Sequence, residues 1–295
     1  YSPHVRYQNV TVELVHDVGI EVGVNTKGMQ GGKLEASSQP HTVAYKFTYN
    51  QDKAYPNEES RADLPDFAPN FSASTFKTYA DVGQAYQVRA KEKAAVTPAI
   101  QTLANELIAK ANAKTTLEKV KVLHHWVAQN IRYLGIYVGA GGFVPHDAQS
   151  ILDNLYGDCK DHVVILESLL AAAGIDSSPA LINSSTAYLL PKLPTPGIFD
   201  HVITYVPSLN VFLDSTSRFA PLGTLPNGDL DKPVLLTATG ALSRTPMTHP
   251  SKDRTEARIQ MKLTRDGSIE GQSQAKMFGV FEVASRSSQF NYQNK

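Results

Sequence analysis

The sequence lacks several features that would direct a functional assignment. Its 295 residues contain one cysteine, which excludes an internal disulfide, and 28 basic residues balance 28 acidic ones. A nucleic-acid binder usually has a basic excess gathered into a patch, so that class is disfavoured. No apolar run approaches the roughly 18 to 20 residues that cross a bilayer, so we predict no transmembrane segment. The glycine-rich stretch at 139–143 lacks the residues of a phosphate loop or a dinucleotide site.

The order of the sequence patterns divides the chain into three parts. Residues 1–75 contain alternating strand patterns around a Gly- and Ser-rich stretch at 25–40, which we interpret as a loop. Residues 76–245 contain helices followed by strands, and residues 246–295 contain further alternating strands. We therefore predict a partial β-rich N-terminal domain at 1–75, a core domain at 76–245 and the start of a truncated β-rich domain at 246–295. Because the chain opens on Tyr1, we expect its native start to have been removed.

Two helices before the cysteine have clear start signals. Thr97 is followed by Pro98, and proline suits the first position of a helix. Thr115 and Glu118 have the spacing of a capping box, in which each side chain hydrogen-bonds the backbone of the other. Apolar residues then recur at three- and four-residue steps up to Ile131, which indicates an amphipathic helix.

Cys159 stands where an apolar helix pattern begins, in YGDCKDHVVILESLL at 156–170. A helix N-terminus offers unpaired N–H groups and a positive dipole end, which favour the thiolate form of a cysteine. The backbone N–H of Cys159 would then suit the oxyanion of an acyl intermediate. The plainer alternative is a small buried residue at a helix start. A metal pair with His162 is conceivable, but no second pair with ligand spacing follows, so we predict no metal site.

The acids beside the cysteine have a structural interpretation. Acidic side chains in the first turn of a helix are favourable, so we predict that Asp161 belongs to a solvated helix start. Asp158 and Lys160 either share that role or line the cleft beside Cys159.

His201 and Asp214 lie in two strand-like stretches, FDHVITYV and VFLDSTS, which VPSLN joins as a hairpin turn. If the turn is centred near Ser208, the two residues are nearly opposite each other. Directly opposed Cβ atoms are about 5 Å apart, which lets an imidazole and a carboxylate hydrogen-bond. The alternatives are a core histidine bonded to a backbone carbonyl and a carboxylate at a strand end.

The order Cys–His–Asp, with the cysteine on a helix start and the other two residues on adjacent strands, resembles the transglutaminase-like superfamily. IRYLGIYVGAGGFVPHDAQSIL, GDCKD and FDHVI resemble in particular a bacterial group whose core is flanked by β-rich domains. The core resemblance covers roughly residues 95 to 240. It implies an α+β fold with a papain-like, transglutaminase-like core between β-rich segments, and an exported location.

The resemblance also implies Cys159 as nucleophile, His201 as base and Asp214 as orienting acid, with no cofactor. A second oxyanion donor is usual in the superfamily, and Tyr137 or His146 of the 133–146 loop is the candidate. The implied function is cysteine-dependent acyl transfer on an amide or peptide bond of a peptide or protein substrate, by a peptidase, an amidase or a transglutaminase. The alternative is a catalytically silent peptide-binding or cell-envelope interaction module that uses the same cleft.

Overall fold

A computed structural model describes residues 4–56, 68–135, 142 and 144–293 of the chain. It mixes helix and strand in similar amounts, 33% and 30% respectively. This agrees with the predicted α+β class.

The first part of the chain forms strands. A three-stranded antiparallel sheet has the order β1–β4–β3, and β2 pairs separately with β5. The strands β1 and β4 were expected from their alternating patterns. Their bounds, in chain order, are β1 Tyr7–Asp17, β2 Gly23–Lys27, β3 Gln30–Lys33, β4 Thr42–Gln51 and β5 Asn70–Ser74.

The prediction of a loop at 25–40 is wrong, because β2 ends and β3 lies within it. Gly28, at φ +66°, makes the turn between them. Gly31 allows β3 to approach β4 closely, since a Cβ atom there would lie 2.1 Å from the backbone oxygen of Lys46. The glycines thus serve a turn between strands of two different sheets and a close strand pairing, which composition alone did not distinguish from a loop.

The sheet that carries the candidate site residues has five strands in the order β10–β9–β8–β11–β12, all paired antiparallel. The connection from β9 to β10 is short, as the hairpin prediction required. The strands are β8 Ser178–Ile182, β9 His201–Val206, β10 Val211–Leu213, β11 Pro233–Leu236 and β12 Ala241–Arg244.

The helices before this sheet begin where their caps predict. Thr97 accepts a hydrogen bond from the backbone of Ile100, and Thr115 and Glu118 form the predicted capping box. Two strands of two residues each, β6 Arg132–Tyr133 and β7 Tyr156–Gly157, pair in parallel, and β7 lies just before the helix that begins at Cys159. The helices are α1 Tyr79–Ala90, α2 Pro98–Lys110, α3 Thr116–Asn130, α4 Ala148–Asn154 and α5 Cys159–Ala172.

Helix α5 is the centre of the core. Its apolar side chains are buried against α2, α3 and α4 on one side and against the five-stranded sheet on the other. Val164, Ile165, Leu166, Leu169 and Leu170 are each 0% exposed. Burying such side chains stabilises the fold by about 1.5–3 kcal/mol each, so the position of the helix is strongly determined.

The last part of the chain forms a hairpin and a helix. The hairpin joins β13 Arg254–Leu263 to β14 Ile269–Phe278, as the alternating pattern predicted. Helix α6, Val280–Gln293, was not expected from the polar tail. Its Phe290 ring lies 5.4 Å from the Phe219 ring, and Arg218 stacks on it. The domain limits near residues 75 and 245 stay predictions.

Among the helices of the described residues, none combines the length and the apolar character that a bilayer crossing requires.

Replacing Thr115 by alanine tests the cap of α3. The substitution removes the side-chain acceptor for the Glu118 backbone N–H and should lower the free energy of unfolding by about 1 kcal/mol. Urea denaturation measures this change. Thr116→Ala, at the exposed neighbouring position, is the control and should shift stability by less than about 0.5 kcal/mol. Equal effects of the two substitutions would contradict the capping role.

Candidate active site

Cys159 is the first residue of α5 and is almost fully buried, with 6% of its surface exposed. Asp158 is the cap of the helix, and its side chain accepts a hydrogen bond of 3.0 Å from the backbone N–H of Lys160. The thiol therefore stands at a helix N-terminus, as predicted.

Cys159 lines a cavity of about 260 Å³. Most of the cavity wall is apolar. The other lining residues are Tyr86, Gly142, Lys160, Leu181, Pro196, Phe199, Asp200, His201 and Val202.

His201 is the first residue of β9 and contacts both other predicted site residues. Its Nε2 atom lies 3.3 Å from Oδ2 of Asp214, and Cys159, which lines the same cavity, is close enough to the ring to raise its pKa. Because Nε2 faces Asp214, Nδ1 is the ring nitrogen left for the thiol. The fold therefore brings Cys159, His201 and Asp214 together.

The hairpin register differs from the one predicted. Val206 pairs with Val211 and Thr204 pairs with Leu213, so continuing the register would set Asp214 opposite Ile203 instead of His201. The four-residue turn 207–210, which includes Asn210 at φ +49°, is centred slightly later than the prediction assumed. His201 and Asp214 are thus diagonal neighbours, whose Cα atoms are typically about 7–8 Å apart, and their side chains bridge the gap.

Asp214 is buried and well supplied with donors. Its Oδ1 atom accepts hydrogen bonds from the backbone N–H and the hydroxyl of Thr216, at 2.9 and 2.6 Å. Burial alone would raise the pKa of Asp214, but its contacts with His201 and Thr216 outweigh burial and lower the pKa below its usual value. Asp214 is therefore a carboxylate at neutral pH.

His201 has the opposite balance. Burial alone would lower its pKa, but the contacts with Asp214 and Cys159 raise the pKa well above the usual value for histidine. The ring is thus held in its positively charged form near neutral pH, next to a sulfur at a helix N-terminus.

Asp161 is not solvated, contrary to the prediction, because it is only 1% exposed. Its two oxygens hold His146, one at 2.8 Å from the backbone N and the other at 3.0 Å from ring Nδ1. It also accepts a 3.2 Å hydrogen bond from the backbone of Asp158. Asp161 thus links the segment before α4 to the start of α5. These hydrogen bonds offset the free-energy cost of burying its carboxylate.

This contact also bears on the expected second oxyanion donor. Asp161 engages the Nδ1 atom of the His146 ring, and the role of His146 as oxyanion donor stays a prediction. Tyr137, the other candidate, lies outside the described residues. Of the two residues considered for the cleft, Lys160 lines the cavity and Asp158 caps the helix. The two side chains form a buried ion pair of 2.5 Å.

Two buried histidines, which were not predicted as site residues, hold the backbone at Asp214. His162 Nδ1 lies 3.0 Å from the carbonyl oxygen of Ser215, and His124 contacts the backbone of Asp214. Burial lowers the pKa of His162 to about 4, so its ring is neutral and donates from Nδ1. The Nδ1 atom of His162 is thus bonded to Ser215 and not to Cys159. The available signal was the position of His124 on the apolar stripe of its helix.

Asp229 is a further acidic residue of the site that was not predicted. It is 1% exposed and comes from the turn before β11. One of its oxygens, one of Asp214 and a ring nitrogen of His201 all lie within 4.8 Å of one another, a separation at which they could hold a metal ion. No local pattern indicated this, because the tertiary fold alone brings residue 229 next to residues 201 and 214.

The comparisons with known proteins agree with the predicted resemblance. Residues 101–181 match the family model of the transglutaminase-like superfamily, so the resemblance is confirmed over that segment. The segment includes Cys159 and ends before His201 and Asp214. No curated protein matches the chain.

Two solved structures resemble the chain. One, from Parabacteroides distasonis, is named provisionally as a protease; it is 18% identical, covers 84% of this chain and superposes with a TM-score of 0.66. The chain spans 46% of that protein, and the similarity shows a shared fold. The other, from Cytophaga hutchinsonii, is named provisionally as a cysteine protease; it is 11% identical and covers 92% of this chain and 80% of its own. Its TM-score of 0.34 is too low for a comparison of the two folds.

Gly157→Ala tests the packing at the start of α5. A Cβ atom at residue 157 would lie 2.4 Å from Cβ of Asp161, so the substitution must displace Asp161 and its bonds. We expect a loss of about 1–3 kcal/mol in the free energy of unfolding, measured by chemical denaturation. Gly32→Ala is the matched control, since its Cβ would meet no atom within 4 Å, and it should be nearly neutral. A neutral Gly157→Ala protein would contradict the close packing.

His162→Asn tests the buried imidazole. The unfolded histidine binds a proton near pH 6.5, but the folded one does so only near pH 4, so the unfolded state binds more protons in this window. Stability is therefore lost as the pH falls from 6.5 toward 4. Asparagine keeps a donor for Ser215 but does not titrate, and should reduce the slope by up to ~1.4 kcal/mol per pH unit.

Urea denaturation at several pH values between about 4 and 7 measures this slope. His125→Asn, an exposed position on α3, is the control and should leave the slope unchanged. An unaltered slope in the His162→Asn protein would show that His162 titrates normally in the fold.

Proposed function

We propose that the protein is a cysteine-dependent acyl-transfer enzyme that acts on an amide or peptide bond through Cys159, His201 and Asp214. The observation that carries this proposal is the contact of one buried imidazole with both the Cys159 thiol and the Asp214 carboxylate, at the wall of a cavity. The match of residues 101–181 to the transglutaminase-like superfamily supports the cysteine-dependent chemistry.

The proposed reaction has two halves. The Cys159 thiolate attacks the substrate carbonyl carbon, and the His201 imidazolium then gives its proton to the leaving nitrogen, so an amine departs and a thioester forms. In the second half, neutral His201 takes a proton from the incoming water or amine, which attacks the thioester. The sulfur leaves as thiolate, and the proton remains on His201. Asp214 orients the ring and stabilises its charged form in both halves.

The start of α5 supplies the proposed oxyanion contact. The first N–H groups of a helix have no partner within the helix, and Cys159 is at the first position of α5. Its own N–H would donate to the oxygen that becomes negative as the sulfur attacks.

The cavity suggests the kind of substrate. Its volume of about 260 Å³ lies slightly below the usual range of about 300–1,000 Å³ for small-molecule pockets, and its walls are mainly apolar. We infer that it takes an apolar side chain of a peptide or protein, next to the bond that is attacked. Hydrolysis is the preferred outcome. Transamidation needs the same three residues and differs only in the acceptor.

Alkylation of Cys159 with iodoacetamide tests the proposal without a known substrate. Because a helix N-terminus and an adjacent imidazolium favour a thiolate, the folded protein should react at about pH 6 on the order of tenfold faster than a free model thiol. The chain has one cysteine, so mass spectrometry counts the product without ambiguity. His201→Ala should remove the excess rate.

His125→Ala, which removes an exposed imidazole remote from the cavity lining, is the control and should react like the parent protein. An ordinary thiol rate in the folded protein would reject the enzyme proposal and favour a silent peptide-binding module. If the thiol is activated, digestion of a protein substrate in the presence of a labelled primary amine separates the two acceptors. New chain ends indicate hydrolysis, and incorporated label indicates transamidation.

A further inference from the structure

Asp229 is a second buried carboxyl group beside the proposed catalytic residues. Its Oδ1 atom accepts a hydrogen bond from the hydroxyl of Ser184, the residue that follows β8 by two positions. No described residue donates a hydrogen bond to its Oδ2 atom, although that atom is buried. One oxygen of the Asp229 carboxyl group lies within 4.8 Å of one oxygen of Asp214. The mechanism above gives Asp229 no role.

Two carboxyl groups this close and this deeply buried do not both ionise readily, because their charges repel each other where water screens little. The neighbours decide which group keeps a proton. Asp214 has two donors in Thr216 and a third in the charged ring of His201. Among the described residues, Asp229 has one donor, the Ser184 hydroxyl. The negative charge therefore stays on Asp214, and the proton stays on Asp229.

We propose that Asp229 is a positioning residue whose protonated carboxyl group donates a hydrogen bond to Asp214 and so holds the Asp214 carboxylate against His201. This rests on the proposed function, because it assigns a role within the same site. A proton on Oδ2 gives that buried atom the partner it otherwise lacks. It also lets the two acids pack together without the repulsion of two negative charges.

The charged groups around Asp229 come from several elements. Burial raises the pKa of Asp229 most, and the charge of Asp214, which follows β10, raises this pKa further. His201 of β9 and the Ser184 hydroxyl lower it. Lys232 lies between Asp229 and β11. Its ammonium group donates to the carbonyl oxygen of Ser185 at 2.6 Å and to that of Ala187 at 3.0 Å. The net direction is a raised pKa for Asp229, so this group loses its proton at a higher pH than an ordinary aspartate.

Two substitutions separate the donor from the titration. Asp229→Asn keeps a donor toward Asp214 and an acceptor for Ser184, but it cannot lose a proton. Asp229→Leu keeps the approximate volume and removes both. We expect Cys159 of the Asp229→Asn protein to be alkylated at about pH 6 at a rate within a few-fold of the parent rate. In the Asp229→Leu protein the rate should be on the order of tenfold lower.

The pH dependence of alkylation supplies a readout that a merely structural role would not move. In the parent protein, deprotonation of Asp229 breaks its bond to Asp214 and adds a second negative charge beside it. The alkylation profile should therefore show a titration step that is absent from Asp229→Asn. Asp231→Asn is the matched control, because Asp231 is two residues away and pairs with Arg244 on the surface, and its profile should match the parent.

Infrared difference spectra give a test that does not need a reactive thiol. At about pH 6, the difference between the spectra of the parent protein and Asp229→Asn should show the carbonyl stretch of one protonated buried carboxylic acid, because Glu167, whose pKa burial raises to about 8, contributes equally to both proteins and cancels. An ordinary alkylation rate of the parent protein would reject the proposed function whatever the spectra show. Absence of the carboxylic acid band from this difference spectrum, or a parent-like rate in folded Asp229→Leu, would overturn the role of Asp229. Tight Zn²⁺ binding that Asp229→Asn abolishes would also overturn it, since a ligand carboxylate must be ionised.

Discussion

The burial of α5 is the constraint on which the site depends. The helix is held between α2, α3 and α4 and the five-stranded sheet, and its middle turns have no exposed apolar side chain. It cannot slide or rotate without exposing that surface. Its first residue, Cys159, is therefore fixed at the edge of the core, where it lines the cavity. The same packing sets Cys159 beside the first residue of β9, which is His201.

Around this fixed point the protein buries an unusual number of ionisable groups. Such groups are costly to remove from water unless each has a partner, and here the partners are mutual. Asp158 pairs with Lys160 and Asp161 pairs with His146, which secures both ends of the turn into α5. His201 and Asp214 shift each other toward their charged forms. The site is thus a set of mutually hydrogen-bonded ionisable groups next to an apolar core.

Three further buried residues contact Asp214 or the backbone beside it. His124 and His162 contact the backbone at residues 214 and 215, and burial keeps both imidazole rings neutral. Asp229 approaches the carboxyl group itself. Asp214 follows a strand of only three residues, so these contacts, more than the strand ladder, define its orientation.

Local signals in the sequence determined the helix starts, the strands on both sides of the hairpin and the identity of Cys159, His201 and Asp214 as candidates. Caps and alternation act within a few residues, so they can be recognised without the fold. Tertiary structure alone decided the diagonal placement of His201 and Asp214, the burial of Asp161 and the approach of Asp229. These features depend on the exact turn and on packing between distant segments. A one-residue difference in a turn, or a contact between residues that are far apart in the sequence, leaves no local pattern in the chain.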